Sequence, residues 1–359
     1  MDTQVIKLNF TGEKIYTGID VHKNNWMLTI ETNDLVLRTF SQPPEPVILQ
    51  KYLRKHFPGA DYLCGYEAGF CGFWIQKELE AMGIKCVVVH AADIPTTDKE
   101  KVYKRDPIDS RKIARMLRTG DYEALYIPGQ NNLGDRALVR ARRTLVQDLS
   151  RYKHRIKGML NFWGIRYPEP FIRNKTHWSN RFITWLKEID LHNPSARITL
   201  DMMIDQVNQL RKAQLDMTQK IRILSRDSNY KQSVDFLLSV PGIGLIAAMT
   251  LLTEIENIRR FHNLDHFCSF AGLIPTSHST GDKDVTGSIT KRGNRILKTI
   301  LIESAWVTLR SDPAMLMAFR KLCVRMDRNK AIIRIARKLA SRILFVLKNQ
   351  QSYKYLLVH

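Results

Sequence analysis

The chain has 359 residues, of which 44% are hydrophobic and 25% are charged, a balance typical of a folded protein of about two or three domains. Its 56 lysines and arginines outnumber its 35 aspartates and glutamates, so the formal net charge is +21. An excess of this size predicts a polyanionic partner. Because the sequence shows neither a lipidation signal nor a basic amphipathic anchor at a terminus, nucleic acid is favoured over a membrane.

The five cysteines are scattered and include no C-x-x-C pair, which predicts reduced thiols in a cytoplasm and argues against a zinc site. The N-terminus lacks a charged-then-apolar leader. The longest apolar stretch, residues 237–252, contains Pro241-Gly242 and is too short to span a bilayer. We therefore expect no membrane association.

Residues 15–120 alternate between strand and helix patterns. Strands are predicted at 15–22, 26–31, 36–40, 62–66 and 85–90, and helices at 44–57, 73–82 and 106–117. The order βββαβαβα is that of an RNase H-like fold.

Four acidic residues fall at decisive places in this predicted order. Asp20 lies in the first, central strand, and Glu67 ends the fourth, which lies beside the first in that fold. Asp106 and Asp109 are three residues apart at a helix start and so share one helical face. Carboxylates gathered in this way predict a Mg²⁺ site for phosphodiester chemistry.

The simpler explanations are that such acids are surface groups and that Asp106 is a helix N-cap. An unpaired carboxylate in the apolar strand that holds Asp20 would be costly, which favours the metal site.

Residues 131–230 are polar and helical in pattern. Two long helices are predicted at 138–163 and 194–224 and suggest an antiparallel coiled-coil arm, with pairing within one chain or between chains left open. The basic face of the first helix predicts contacts with a nucleic-acid backbone, against the alternative of a solvated face. The residues assigned to those contacts are Arg140, Arg143, Arg151, Lys153 and Arg155.

Residues 231–350 predict a compact helical region with a sharp Pro-Gly-Ile-Gly turn at Gly242 and Gly244. This turn resembles a helix-hairpin-helix that binds a DNA phosphate through backbone N–H groups. A tight packing turn between core helices requires glycine equally, and the two interpretations stay open.

The segment from Ala271 to Asn294 has the composition of a loop. A serine on a glycine-flanked loop is a possible phosphodiester nucleophile, and Lys291 and Arg292 are suited to neutralise phosphate charge. On chemistry alone, an ordinary loop is favoured.

These motifs together resemble one known family. The N-terminal signature is Gly18-Ile-Asp20-Val-His-Lys23, Tyr66-Glu67-Ala and Lys104-Arg-Asp106-Pro-Ile-Asp109-Ser-Arg-Lys-Ile-Ala114. The C-terminal signature is Pro241-Gly-Ile-Gly244, Phe270-Ala-Gly-Leu-Ile-Pro275, Ser279-Thr-Gly281 and Gly287-Ser-Ile-Thr-Lys-Arg-Gly-Asn294. The pattern resembles the DEDD insertion-sequence transposases, relatives of the Piv DNA invertase and bridge-RNA-guided serine recombinases.

The resemblance implies an α/β RuvC-like catalytic domain (1–125), a helical coiled-coil arm (126–230) and a mostly helical transposase domain (231–359). It implies that Asp20, Glu67, Asp106 and Asp109 bind Mg²⁺ and that a serine in the C-terminal motif is the nucleophile. The family often has Ser-Ser-Gly where this chain has Ser279-Thr280-Gly281, so Ser279 is assigned, with Ser277 and Thr280 as alternatives.

The resemblance also implies partners. These are donor and target DNA, a structured guide RNA, and further copies of the chain as dimers that assemble into a tetramer. The implied localisation is the cytoplasm of a prokaryote, in association with the nucleoid. One alternative is a Mg²⁺-dependent RuvC-like nuclease or junction resolvase that uses water as nucleophile. A second is a non-catalytic nucleic-acid-binding protein.

Overall fold

The computed structural model describes residues 9–96, 106–173, 177–280, 283–290 and 292–354, with the backbone alone described at 106, 173, 277–280 and 283–288. The chain forms two compact units, residues 1–127 and 128–359. The three-domain division at 125/126 and 230/231 stays a prediction. No helix in these ranges is long and apolar enough to cross a membrane.

The first unit is a five-stranded sheet with helices on both faces. Its elements are β1 (Lys14–Val21), β2 (Trp26–Glu31), β3 (Val36–Gln42), α1 (Pro46–His56), β4 (Asp61–Glu67), α2 (Trp74–Ala81), β5 (Lys85–Val89) and α3 (Asp106–Thr119). The strand order is β3-β2-β1-β4-β5. β1 pairs with β2 antiparallel and with β4 parallel. The predicted strands and helices of this unit are confirmed to within a few residues at their ends.

The two faces of the sheet have separate cores. Ile15, Ile19 and Tyr66 belong to the core that packs against α1 and α2. Tyr16, on the opposite face, packs with α3 through residues such as Ile113. This alternation is the period of two that a strand buried on both faces requires.

The second unit is mostly helical. Its elements are α4 (Gln130–Phe162), α5 (Glu169–Arg173), α6 (Asn180–Glu188), α7 (Pro194–Leu224), α8 (Lys231–Leu238), α9 (Leu245–Ile255), α10 (Leu264–Phe270), β6 (Pro275–Thr280), β7 (Lys283–Ile289), α11 (Arg295–Ser311), α12 (Pro313–Cys323) and α13 (Arg328–Asn349).

The long helices α4 and α7 pack side by side in antiparallel directions. Val139 and Ile221 share one core cluster, whereas Leu160 and Ala196 share another at the far end of the pair. The far cluster is completed by α6, whose Phe182 is fully buried. Antiparallel packing agrees with the predicted arm, and coiled-coil supercoiling stays a prediction.

α4 begins at Gln130, eight residues before the predicted start at residue 138. The first turns are polar and include Gly134, so no apolar periodicity marked them in the sequence. They are held instead by contacts with α9 and the residues after it. Arg136 Nε donates to the Thr253 carbonyl over 2.8 Å, and the backbone N–H of Gly129 donates to Glu256.

The prediction of a loop throughout 271–294 is wrong, because β6 and β7 form an antiparallel hairpin there. Its strands are rich in serine, threonine and other polar residues and include Gly287, so they lack the apolar alternation that identifies a half-buried strand. Backbone pairing between the two strands is what defines them.

Candidate functional site

Asp20 and Glu67 stand next to each other at the carboxyl ends of two parallel strands. The register of β1 and β4 places Ile19 opposite Tyr66, and Asp20 and Glu67 are the next residues of those strands. Because Ile19 and Tyr66 point into the core under α1 and α2, the two acids point to the face that α3 covers. Adjacent strands lie about 4.8 Å apart, so these two residues are neighbours across the pair of strands.

A close backbone contact brings the start of α3 to the same edge. A Cβ added to Gly18 would lie 2.0 Å from the carbonyl oxygen of Ser110 and 2.4 Å from the backbone nitrogen of Ala114. The Ser110 hydroxyl also lies 2.8 Å from the hydroxyl of Thr29 in β2. Only glycine at position 18 lets the helix approach this closely.

The direction of α3 decides where its acids lie. Ser110 and Ala114 sit over Gly18, whereas Arg118, farther along the helix, donates to Glu31 of β2, the residue that pairs with Tyr16. The helix therefore runs antiparallel to β1, with its N-terminal turn at the Asp20 end. Asp109 precedes Ser110 in that turn, so it lies at the edge that holds Asp20 and Glu67. Asp106 is the first residue of α3, and its side chain lies outside the described part.

Two of the described acids, Asp20 and Asp109, have basic neighbours. Nε2 of His22 lies 3.1 Å from Oδ2 of Asp20. Lys112 Nζ donates to Oδ1 of Asp109 over 3.0 Å, and the lysine side chain is only 8% exposed. Among the described residues, no three His, Cys, Asp or Glu side chains are close enough to hold a metal ion. The complete metal-ligand set, which includes Asp106, therefore stays a prediction.

The serine assigned as nucleophile lies on the β6–β7 hairpin. Ser279 is opposite Asp284, Ser277 is opposite Thr286, and Thr280 is opposite Lys283 in the strand register. All three candidate residues therefore belong to β6, within a few residues of the turn between β6 and β7. Lys291 lies outside the described residues, and Arg292 is exposed just after β7.

The base of this hairpin is fixed by two interlocked glycine turns. Gly272 and Gly293 have φ values of +71° and +96°, which favour glycine, and a Cβ on Gly272 would lie 2.6 Å from the carbonyl oxygen of Arg292. The Asn294 backbone N–H donates to the Phe270 carbonyl over 2.7 Å. The two signature segments around Phe270 and Asn294 therefore pack directly against each other.

A buried ion pair joins this region to α4. Glu254 in α9 has a side chain only 1% exposed and accepts two hydrogen bonds from Arg140, from Nε over 2.7 Å and from Nη2 over 2.8 Å. Asn294 Nδ2 donates to the same carboxylate over 2.7 Å. Burial alone would raise the pKa of Glu254, but the hydrogen bonds from Arg140 and Asn294 and the charges of Arg140 and Arg136 outweigh it, so the pKa is lowered.

Glu254 is not among the site residues predicted from the sequence, although the sequence carries a signal for it. The residue is a lone carboxylate in the apolar helix Leu245–Ile255, where burial requires a cationic or hydrogen-bonding partner. Its partner, Arg140, is one of the residues predicted to bind nucleic acid, and the structure gives that arginine a buried carboxylate to hold it in place.

The other predicted basic contacts lie along α4 with partners of their own. Arg143 donates to the Thr299 hydroxyl over 3.4 Å, and Arg151 pairs with Asp148 over 2.8 Å. Lys153 and Arg155 lie over the rings of Trp178 and Tyr152, at 5.3 and 4.8 Å from the ring centroids. Burial, followed by the nearby charges of Arg211 and Lys157, lowers the pKa of Lys153. Nucleic-acid binding by this face stays a prediction.

The two glycines of the predicted hairpin turn differ in their surroundings. Gly242 has φ +89°, and a Cβ there would lie 2.2 Å from the hydroxyl of Thr308 in α11. That hydroxyl in turn donates to the Pro241 carbonyl over 2.8 Å. Gly244 is the N-cap of α9 and has nothing within 4 Å of its added Cβ. These contacts favour a packing role for Gly242, and the phosphate-binding role of the turn stays a prediction.

A five-stranded sheet of this order, with acids at the ends of β1 and β4 and at the start of α3, is consistent with a RuvC-like DEDD domain. Comparison with known proteins points the same way. An IS110-type DEDD transposase model matches residues 17–164, and the model of the transposase IS116/IS110/IS902 family matches residues 234–320. The two models together match more than half of the chain, which belongs to the IS110/IS116 family of DEDD transposases.

Individual relatives agree with this assignment. The chain is 31% identical to a predicted transposase, y4qE, of Sinorhizobium fredii, over 70% of this chain and 59% of that protein. It is 25% identical to the transposase for insertion sequence element IS1533 of Leptospira borgpetersenii, over 82% of this chain and 85% of the relative. With the IS1111A transposase of Coxiella burnetii it shares 26% identity, over 71% of this chain and 69% of the relative.

Proposed function

We propose that this protein is an insertion-sequence transposase that cuts and rejoins DNA. The observations that support the proposal are the neighbouring strand positions of Asp20 and Glu67 and the close approach of α3 to Gly18, in a chain whose second unit holds the family's serine motif on a hairpin. The net charge of +21 suits a protein that binds DNA.

Asp20, Glu67, Asp106 and Asp109 are the residues that would hold Mg²⁺. Their carboxylate oxygens are the hard ligands that this ion prefers. When bound, Mg²⁺ would neutralise charge on the scissile phosphate and assist the attacking oxygen. His22 and Lys112 contact two of these carboxylates and would limit their freedom to turn away from the phosphate.

Ser279 is proposed as the nucleophile. Its hydroxyl oxygen attacks phosphorus, a phosphoserine bond forms, and the DNA hydroxyl that leaves takes up a proton. Because the phosphodiester bond is exchanged for a phosphoserine ester bond and is not hydrolysed, rejoining requires no ATP. A DNA hydroxyl then attacks the phosphoserine, forms the new phosphodiester bond and releases the serine. The interlocked turns at Gly272 and Gly293 support this role, because they fix the base of the hairpin that carries Ser279.

The resemblance to bridge-RNA-guided recombinases extends the proposal to partners. A structured guide RNA would pair with donor and target DNA, so base pairing would select the sequence and the basic protein would bind backbone and shape. Dimers that assemble into a tetramer would supply the catalytic units. The large positive charge supports binding of nucleic acid.

The test is a denaturing gel of the protein with Mg²⁺, its co-purifying RNA and labelled DNA from the ends of its own element. A protease-sensitive protein–DNA adduct is expected with the natural chain and with Asp34→Asn, an exposed acid between β2 and β3. Asp20→Asn should abolish it.

Variants of the three hydroxyls separate the possible nucleophiles. Ser279→Ala should abolish the adduct, whereas Ser277→Ala and Thr280→Val should retain it. An adduct lost only in Ser277→Ala or Thr280→Val would move the nucleophile to that residue. Cleavage without any adduct would favour the water-using nuclease.

A further inference from the structure

An open groove lies between α4 and the start of α11 within the second unit. Its volume is about 670 Å³, and the residues that line it include Arg140, Arg143, Gln147, Ser150, Arg151 and Arg295. Every charged side chain that lines it in the described part of the chain is an arginine. A concave surface with this charge attracts anions strongly because the walls focus the field.

The arginines are held on both walls of the groove. Arg143 in α4 donates to Thr299 in α11, so the two walls are joined by a side-chain contact. Arg140 uses Nε and Nη2 to bind Glu254. A guanidinium carries five N–H donors, so Arg140 keeps others for a ligand. A fixed guanidinium loses less entropy when it binds an anion than a free one.

We infer that this groove binds the sugar–phosphate backbone of a nucleic acid. The inference rests on the proposed function, which it deepens by naming the surface and by adding Arg295. Arg140 and Arg151 are 11 residues apart, which corresponds to roughly 16 Å along a helix. Phosphates recur at about 3.4 Å of axis per strand in a duplex, so this row of arginines suits several successive phosphates rather than one small anion.

The groove also lies directly beside the hairpin base. Arg295 follows Asn294, which bonds both to the Phe270 carbonyl and to the carboxylate of Glu254. Glu254 therefore links an arginine of the groove to the segment that anchors β6 and β7. A backbone seated in the groove passes the anchored end of the hairpin that carries Ser279.

The experiment measures binding of the full chain to a labelled RNA hairpin and to a labelled DNA duplex across a salt series. The test variant is Arg143→Gln/Arg295→Gln. The matched control is Arg222→Gln/Arg226→Gln, which removes the same charge from exposed positions at the end of α7 and just after it that do not line the groove. Circular dichroism confirms that both variants are folded.

The affinity K falls as the salt concentration rises, and each lost phosphate contact makes the slope of log K against log salt less steep by about 0.7–0.9. We expect the test variant to bind at least one probe about 10-fold more weakly, with a salt slope that is less steep by about 1–2. The control variant should keep the salt slope of the natural chain. Loss for RNA alone, or for DNA alone, supports the inference and identifies the source of the phosphates.

Two outcomes oppose the inference in different ways. Equal salt slopes for the natural chain and the test variant, with tight binding by both, would show that the groove does not bind the backbone. The proposed function would not be affected by that result. No binding of either probe by the natural chain would overturn both.

Discussion

Arg140 and Glu254 form a two-point ion pair in which the carboxylate is buried and the guanidinium is half exposed. The pair joins α4 to α9, and Asn294 extends it to the start of α11. Three helices thus converge on one carboxylate. A buried charge of this kind is stable only while its partners remain, so the pair fixes the relative position of the arginine groove and the hairpin base.

The first prediction concerns removal of the arginine from this pair. Arg140→Gln should lower the free energy of unfolding by about 1–3 kcal/mol at neutral pH, since Glu254 loses two hydrogen bonds and its nearest charge. Solvent access to Arg140 keeps the loss below that of a fully buried pair. Urea unfolding of both proteins measures the difference.

The pH dependence of that difference follows from the lowered pKa of Glu254. A carboxyl group whose pKa is lower in the folded than in the unfolded chain stabilises the fold. This stabilisation is complete above the group's pKa in the unfolded chain and is lost as pH falls through its pKa in the folded chain. The difference in the free energy of unfolding between the natural chain and Arg140→Gln should therefore be largest near neutral pH and should shrink below about pH 4.3. A gap that widens on acidification would contradict the ion-pair account.

The second prediction separates the two roles of the Pro-Gly-Ile-Gly turn. Gly242→Ala should destabilise the chain by about 1–3 kcal/mol or more, because the new Cβ meets Thr308 and the backbone there has a positive φ. Gly244→Ala should cost less than about 1 kcal/mol, since its Cβ enters open space at a helix N-cap.

Gly244→Ala can therefore be tested for nucleic-acid binding without loss of the fold. Weaker DNA binding by this stable variant would support a phosphate contact at the start of α9. Unchanged binding would leave the turn with its packing role alone.

The third prediction concerns the contact that positions the acids of α3. Gly18→Ala should push α3 from the sheet, because its Cβ would lie 2.0 Å from the Ser110 carbonyl oxygen. We expect a loss of about 1–3 kcal/mol or more in thermal unfolding and a loss of strand transfer as Asp109 moves.

Gly134→Ala is the matched control for this substitution. Its added Cβ meets nothing within 4 Å inside α4, so the change should stabilise the helix by about 0.5–1 kcal/mol and leave strand transfer intact. Normal transfer by Gly18→Ala would show that the close approach of α3 is dispensable.

Sequence patterns could predict the acidic edge but not the contacts around the hairpin. Short apolar runs indicated β1 and β4, and the fold order then predicted that Asp20 lies beside Glu67. The β6–β7 hairpin lacks an apolar pattern, so its residues looked like a loop. The partnership of Glu254 with Arg140 joins residues more than a hundred positions apart, and no local spacing could have identified it.

The fourth prediction tests the proposed metal site apart from activity. Mg²⁺ should stabilise the natural chain against thermal unfolding by about 2.7 kcal/mol at 100 times its Kd, because it binds only the folded state. Asp20→Asn should abolish most of this gain, since it removes a charged ligand, whereas Asp34→Asn should keep it. Ca²⁺ and Na⁺ at equal ionic strength separate site binding from screening. Equal Mg²⁺ stabilisation of all three proteins would place the bound ion elsewhere and remove Asp20 from the ligand set.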